Sequence, residues 1–311
     1  MFRMYRLAAW ALMATIGIAF APRTASAQLS EPAAWSTQIR NQYRVVTDIT
    51  YLTANNWDAN LDVYTPQEGS GPFPTVLYFH GGGWTAGSKE SSVLTFLPYL
   101  EMGWAVVNVE YRLARVSLAP AAVEDCLCAL RWVIQNAKEY RFDTSRIVLT
   151  GNSAGGHLAL TTGMIPPSEG LDRQCPGKED LKVAAIVDWY GITDVAELLD
   201  GPNQKTYAVT WLGSRPNRKE IAERISPLKY VRAGLPPVLL IQGDADPTVP
   251  YTQSLRLRDA LTKAGVRNEL VTVPGGKHGG FSGPEMVRIY AKIQEFLRAA
   301  GLMPAQSSAL R

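Results

Sequence analysis

Histidine and cysteine are scarce in this chain, three of each among 311 residues. The cysteines, Cys126, Cys128 and Cys175, form no C-x-x-C pair, and the histidines are far apart in sequence, so no zinc-ligand spacing is present. Periodicity is lacking too. The 26 glycines and 20 prolines are scattered without a repeat, which excludes collagen-like, low-complexity and solenoid architectures. After residue 27 no apolar stretch reaches membrane-spanning length without a charge. Neither sign of charge dominates. Lys and Arg number 31 against 28 Asp and Glu, and Arg3, Arg6 and Arg23 account for the excess. A balanced chain implies no nucleic-acid or anionic-surface partner.

What the sequence has is an N-terminal segment of distinct character. Basic residues at Arg3 and Arg6 precede an apolar run from Leu7 to Ala21, and Ala25-Ser26-Ala27 follows. This three-part pattern predicts a signal peptide over residues 1–27, with an uncleaved membrane anchor as the alternative. The mature chain, 28–311, is expected to be periplasmic or secreted, with no stable membrane span. Such a compartment permits a disulfide. Cys126 and Cys128 lie two apart on a predicted helix and cannot readily bridge each other. Either Cys175 pairs with one of them, or all three remain thiols.

From residue 44 onward, short β-branched or aromatic runs alternate with longer helical stretches, the pattern of an α/β fold. Strands are predicted at 44–52, 61–65, 75–79, 104–110, 146–150, 183–189, 236–241 and 268–273. Helices are predicted at 119–138, 153–163, 251–264 and 284–300, with a short one near 90–101. Several strands are almost wholly apolar, as buried parallel strands are. The connection 192–232 is longer than usual and suits a lid or a binding wall.

Gly151-Asn152-Ser153-Ala154-Gly155 follows a predicted strand and opens a predicted helix. A nucleophile on such a sharp turn needs small neighbours, and the helix N-terminus favours developing negative charge. Ser153 is therefore the candidate nucleophile. Its base must come from three histidines. His157 lies one turn along the same helix, and His80 closes a strand before a glycine run; both suit structural roles. His278, in the Gly-rich segment after the last predicted strand, is the candidate base. The acid is sought between 153 and 278. Asp246, in the loop after the 236–241 strand, is preferred to Asp244, which suits a turn. His80-Gly81-Gly82-Gly83-Trp84 supplies backbone N–H groups, so Gly82, Gly83 and Ala154 are the expected oxyanion donors. No phosphate-binding glycine motif accompanies that run. Trp84, Trp189 and Tyr190 are candidate substrate contacts, with Tyr207 and Trp211 as further aromatics near the same edge; core packing or lid anchoring is the alternative for each of them.

The segments HGGGW, GNSAGGH, GDADPTVP and KHGGF together resemble α/β-hydrolase-fold serine esterases. They are most similar to the hormone-sensitive-lipase-like group and to secreted feruloyl and acetyl esterase-like hydrolases. The resemblance covers about residues 45–298 and implies a mostly parallel central sheet flanked by helices, with a small lid-like insertion about 192–232. Asn152 stands where many lipase-like members carry an acid, and no long helical cap precedes the first strand. Both features favour small or polysaccharide esters, acetyl or feruloyl among them, as substrates. Acyl transfer by such a triad needs no metal or organic cofactor. The rival readings are a prolyl-oligopeptidase-like serine peptidase, which usually carries a propeller that the roughly 45 residues before the first strand cannot supply, and a non-catalytic binding protein on the same fold.

Overall fold

A computed structural model of the protein describes residues 30–303; the predicted signal peptide, 1–27, lies outside the described residues. The chain divides into two units, Met1–Gln38 and Ile39–Arg311. In the first, the described residues begin a helix, α1 (Glu31–Gln42), which the sequence pattern did not announce. Its apolar residues follow no clear helical stripe.

The second unit is built on one eight-stranded sheet. Its strands are β1 (Tyr43–Ala54), β2 (Trp57–Pro66), β3 (Phe73–Phe79), β4 (Ala105–Val109), β5 (Phe142–Asn152), β6 (Ala185–Trp189), β7 (Val238–Gly243) and β8 (Asn268–Val273). They lie in the order β1-β2-β4-β3-β5-β6-β7-β8. Only the pairs β1/β2 and β2/β4 are antiparallel; from β4 to β8 all pairs are parallel. All eight predicted strands are present.

The helices between them are α2 (Leu97–Glu101), α3 (Ala121–Gln135), α4 (Ala137–Tyr140), α5 (Ala154–Met164), α6 (Thr206–Leu212), α7 (Arg218–Arg224), α8 (Tyr251–Lys263) and α9 (Gly283–Ala299). The stretch expected as one helix over 119–138 is two, α3 and α4, broken at Asn136. Among the described residues no helix is long and apolar enough to cross a membrane.

Residue alternation along the strands divides the core in two. Leu77, Phe79, Val107 and Leu149 face the layer formed by residues of α3, α5 and α8. Val76, Tyr78, Val106 and Val148 face the other side, where α9 packs through Ile289, Ile293, Phe296 and Leu297. That spacing is the apolar stripe of an amphipathic helix, and burying each such side chain stabilises the fold by about 1.5–3 kcal/mol. Ser282 caps α9, its hydroxyl accepting from the Glu285 N–H at 3.4 Å. A disulfide between Cys128 of α3 and Cys175 closes a loop of 47 residues, worth about 4 kcal/mol if its effect is entropic. Cys126 is a buried thiol.

This topology decides where chemistry can occur. In an open parallel sheet, the loops that leave the C-terminal strand ends converge on one edge. His80–Trp84 follow β3, Ser153 follows β5, Asp246 follows β7 and His278 follows β8.

Candidate active site

The turn between β5 and α5 is strained. Ser153 has φ 58° and ψ −119°, a region costing roughly 1–3 kcal/mol for a residue with a side chain. Its N–H donates to the Trp189 carbonyl at 2.8 Å, and that bond to β6 helps to hold the turn. The flanking glycines are required by close approach. A Cβ at Gly151 would lie 2.4 Å from the Phe79 carbonyl oxygen, and one at Gly155 would lie 2.0 Å from the same atom.

From this turn the Ser153 Oγ reaches the His278 Nε2 at 2.8 Å, and the His278 Nδ1 reaches the Asp246 Oδ2 at 2.8 Å. A carboxylate only accepts, so Nδ1 carries the proton, and Nε2 is then left to accept from the serine hydroxyl. Asp246 is fixed in turn by the N–H groups of Thr248 and Val249, at 2.7 and 3.0 Å on Oδ1, and by the Gln242 amide at 3.2 Å on Oδ2. Burial alone would raise its carboxyl, but the His278 bond and these backbone donors outweigh it and hold it below the usual carboxylate range. Asp244 is elsewhere: its Oδ1 accepts from the Gly275 N–H at 2.6 Å. The supporting Thr248 and Val249 amides were not foreseen, because backbone donors leave no residue signature.

The loop after β3 is tightly folded. The N–H groups of Thr85 and Ala86 donate to the Gly82 carbonyl at 3.1 and 3.0 Å, while the His80 Nδ1 donates to the Gly81 carbonyl at 2.7 Å. The Tyr111 hydroxyl donates to the His80 carbonyl at 2.8 Å, and the two rings stack at 4.2 Å. Gly82 has φ +120°, and a Cβ there would fall 2.0 Å from the Ala86 carbonyl oxygen. Among the described residues, the N–H groups of Gly82, Gly83 and Ala154 have no acceptor. His157 takes no part in the cleft. It is fully buried, its Nε2 donates to the Ile225 carbonyl at 2.7 Å, and burial pushes its pKa down to about 4.

The aromatic expectations need correction. Trp84 has no exposed surface; it stacks on Trp211 at 4.1 Å and meets the His157 ring edge-on at 4.9 Å. Trp189 is 6% exposed and packs on Tyr290 at 5.6 Å. Both indoles are core: Trp189 shares its face of β6 with Ala185 and Val187, and Trp84 is held inward by its stack on Trp211. Tyr190 is different: half-buried, with φ 43°, its ring stands 4.7 Å from that of His278.

Two features went unread in the sequence. Asp188 is buried at the C-terminal end of β6, one Oδ accepting the Gly191 N–H at 3.0 Å and the other without a partner among the described residues. Burial pushes its carboxyl up to about 8, and the Gly191 N–H offsets only part of that. An acid inside Ala-Ile-Val-Asp-Trp was the available signal. The insertion 192–232 is also fastened rather than loose. The Lys205 Nζ donates to the Pro247 carbonyl at 2.8 Å, and the Tyr207 hydroxyl to that of Thr248 at 3.2 Å. A groove of about 400 Å³ lies between the end of β8 and the start of α9, lined by residues including Lys277, Gly279, Phe281 and Glu285 but by no residue of the triad.

Comparison with known proteins agrees with this layout. The BD-FAE family model matches residues 61–261, and a model described as TAP-like protein matches 216–309. The chain is 31% identical over 199 residues to a probable carboxylic ester hydrolase, LipM, of Mycobacterium tuberculosis, covering 62% of this chain and 46% of LipM. It thus spans about half the length of that curated relative. Among solved structures, a truncated carbohydrate esterase from gut microbiota matches with 30% identity and a TM-score of 0.69, covering 82% of this chain and 97% of the other. The propionate-bound esterase Est2 of Thermogutta terrifontis matches with 27% identity and a TM-score of 0.71, covering 86% and 97%. These neighbours share the α/β-hydrolase fold.

Proposed function

The chain belongs to the BD-FAE family, within the α/β-hydrolase fold, and from that premise we propose that it is a secreted serine carboxylic-ester hydrolase. Its substrates are small acyl or aryl esters, including acetyl or feruloyl esters of plant polysaccharide. The observation that carries this reading is the continuous hydrogen-bonded line from Ser153 through His278 to Asp246, 2.8 Å at each step. Secretion rests on the basic, apolar and small-residue pattern of residues 1–27.

The chemistry follows from the line. His278 Nε2 takes the Ser153 proton as Oγ attacks the ester carbonyl, and the developing oxyanion is met by the N–H groups of Gly82, Gly83 and Ala154. The imidazolium is stabilised by Asp246, which stays ionised because its carboxyl is held low. Collapse breaks the bond to the alcohol oxygen, which leaves with the proton from Nε2. Water then gives a proton to Nε2 as it attacks the acyl-enzyme, and collapse releases the acid while Nε2 returns that proton to the Ser153 Oγ.

The test is a panel of p-nitrophenyl acetate, p-nitrophenyl octanoate, methyl ferulate and an aminoacyl-p-nitroanilide, read as initial rates for the mature protein. Ester hydrolysis without anilide cleavage is expected, and Ser153→Ala is expected to lose about 10⁵-fold in kcat with its melting curve unchanged. Anilide cleavage would move the protein to the peptidases. Inactivity on all four would overturn the reading in favour of a binding protein.

A further inference from the structure

His278 is held by two hydrogen bonds, and the reaction removes one of them. In the free site Nδ1 donates to the Asp246 Oδ2 and Nε2 accepts from the Ser153 hydroxyl, each at 2.8 Å. Once Oγ is acylated it has no proton to donate, and an Nε2 that is itself an acceptor gains nothing from an ester oxygen. Through the second half of the reaction the imidazole is therefore tied at Nδ1 alone. Its loop is fastened on one side only. Before His278, the Gly275 N–H donates to the Asp244 carboxylate at 2.6 Å, and the Ala245 N–H to the Gly276 carbonyl at 3.0 Å. After it, across Gly279, Gly280 and Phe281, the one hydrogen bond among the described residues is local, from the Gly279 N–H to the Lys277 carbonyl at 2.9 Å.

The side chain that supports this free half is Tyr190. Its ring stands 4.7 Å from the His278 ring at 60°, and 6.0 Å from that of Phe281 at 85°, both edge-to-face spacings. A Cβ added at Gly279 would lie 2.9 Å from the Tyr190 hydroxyl oxygen and 3.2 Å from the ring carbon that bears it. The backbone beneath the ring is fixed on both sides. The Trp189 carbonyl accepts the Ser153 N–H at 2.8 Å, and the Tyr190 N–H donates to the Ile241 carbonyl at 2.7 Å. Tyr190 has φ 43°, a left-handed conformation that a bulky residue adopts only where its surroundings impose it. Two adjacent residues thus serve the two reacting groups, Trp189 the turn of the nucleophile and Tyr190 the loop of the base. Burial raises the pKa of the phenol, which is uncharged beside His278.

We propose that Tyr190 is a positioning residue for the second half of the reaction: its ring keeps His278 in place when the Ser153 hydroxyl can no longer do so. The inference rests on the ester-hydrolase reading above. In that half, water gives a proton to Nε2 as its oxygen bonds to the acyl carbon; the bond from that carbon to Oγ then breaks, and Nε2 returns the proton to Oγ. Both transfers need Nε2 within hydrogen-bond reach, and a displacement of about 1 Å costs on the order of 100-fold. Attack on the substrate is spared, because the Ser153 bond is still in place when it begins.

The experiment is steady-state kinetics on p-nitrophenyl acetate for the parent, Tyr190→Ala and Tyr190→Phe, with intact-protein mass spectrometry of the working enzyme. With so good a leaving group the first half is fast and kcat reports deacylation, whereas kcat/KM reports only the steps up to release of p-nitrophenolate. Tyr190→Ala is expected to lower kcat about tenfold or more, to lower KM in parallel so that kcat/KM stays within about threefold, and to accumulate enzyme acetylated on Ser153. Tyr190→Phe keeps the ring and is expected to hold kcat and KM within about twofold of the parent. A fall in kcat/KM as large as that in kcat would overturn the proposal and leave Tyr190 a general structural role. A rise in KM with kcat unchanged would make it a substrate contact instead. Unchanged kinetics in Tyr190→Ala, or a Tyr190→Phe as impaired as Tyr190→Ala, would also refute it. Should Tyr190→Ala not fold, Tyr190→Asn, which removes the ring and tolerates the left-handed backbone, carries the same test. A parent inactive on every ester would overturn the hydrolase reading itself, so the two failures are distinguishable.

Discussion

The β5–α5 turn and the 274–282 loop each present one reacting side chain, and they hold it by opposite means. Ser153 sits in a backbone packed from every side, where Cβ positions at Gly151 and Gly155 fall within 2.4 Å of the Phe79 carbonyl. His278 sits in a loop whose Gly275 and Gly280 have nothing within 4 Å of a Cβ, though both have positive φ. The nucleophile is therefore positioned by steric exclusion through the core. The base is positioned by its own hydrogen bonds, to Asp246 on one nitrogen and Ser153 on the other. A perturbation of the turn should cost folding, and a perturbation of the loop should cost rate.

The strongest break in this contrast comes from the acid. Asp246→Asn removes the acceptor that fixes the His278 tautomer and is expected to lower kcat by about 10⁴-fold. Asp244→Asn, which touches only the Gly275 N–H, is expected to cost less than about tenfold. Steady-state kinetics on one ester checks both, and equal losses would show that His278 is held by the loop rather than by Asp246.

Next come the two glycines. Gly155→Ala forces a methyl against the Phe79 carbonyl oxygen at 2.0 Å and is expected to destabilise by roughly 3–5 kcal/mol or to prevent folding. Gly280→Ala meets open space and carries only the left-handed backbone penalty at φ +65°, about 1 kcal/mol. Urea unfolding of both variants measures the gap between the regions.

The smallest effect belongs to the floor beneath the turn. Asp188 borders both Gly156 and Gly191, whose added Cβ atoms would each lie 2.2 Å from its Oδ1. Its folded carboxyl titrates near 8 against about 4 when unfolded. Between those values the folded state holds the extra proton, so stability falls as pH rises from about 4 to about 8. Asp188→Asn keeps an acceptor for the Gly191 N–H and abolishes that slope. Relative to the parent, the variant should gain stability between pH 4 and pH 8, read by urea unfolding at the two values. A parent whose stability does not fall over that window would show Asp188 to be ionised in place.

Much of the fold was legible because burial writes itself into runs of apolar residues. Val-Leu-Tyr-Phe, Ile-Val-Leu-Thr and Val-Leu-Leu-Ile read as buried strands without any knowledge of their neighbours. Ser153 was legible for a related reason: its glycines exist only to let backbone approach backbone. The first helix was not legible, since Glu31–Gln42 has no apolar stripe. The two tryptophans were left between substrate contact and core packing because an indole beside a glycine run or a strand end carries no mark of which way it turns. Asp188 went unread because one acid in an apolar strand looks like an exception until both of its neighbours are seen to be glycines.

The sequence by itself determined the alternation of strands and helices, the strained turn at Ser153 and the three histidines from which a base had to be chosen, because these depend on local period and steric need. Only the tertiary structure decided that Cys128 rather than Cys126 bonds Cys175, that Trp84 and Trp189 pack the core, and that Tyr207 spans two loops 41 residues or more away along the chain. Those outcomes depend on which surfaces meet when the β3, β5, β7 and β8 ends are gathered at one edge. Contacts between residues far apart in the chain leave no pattern in their local sequence.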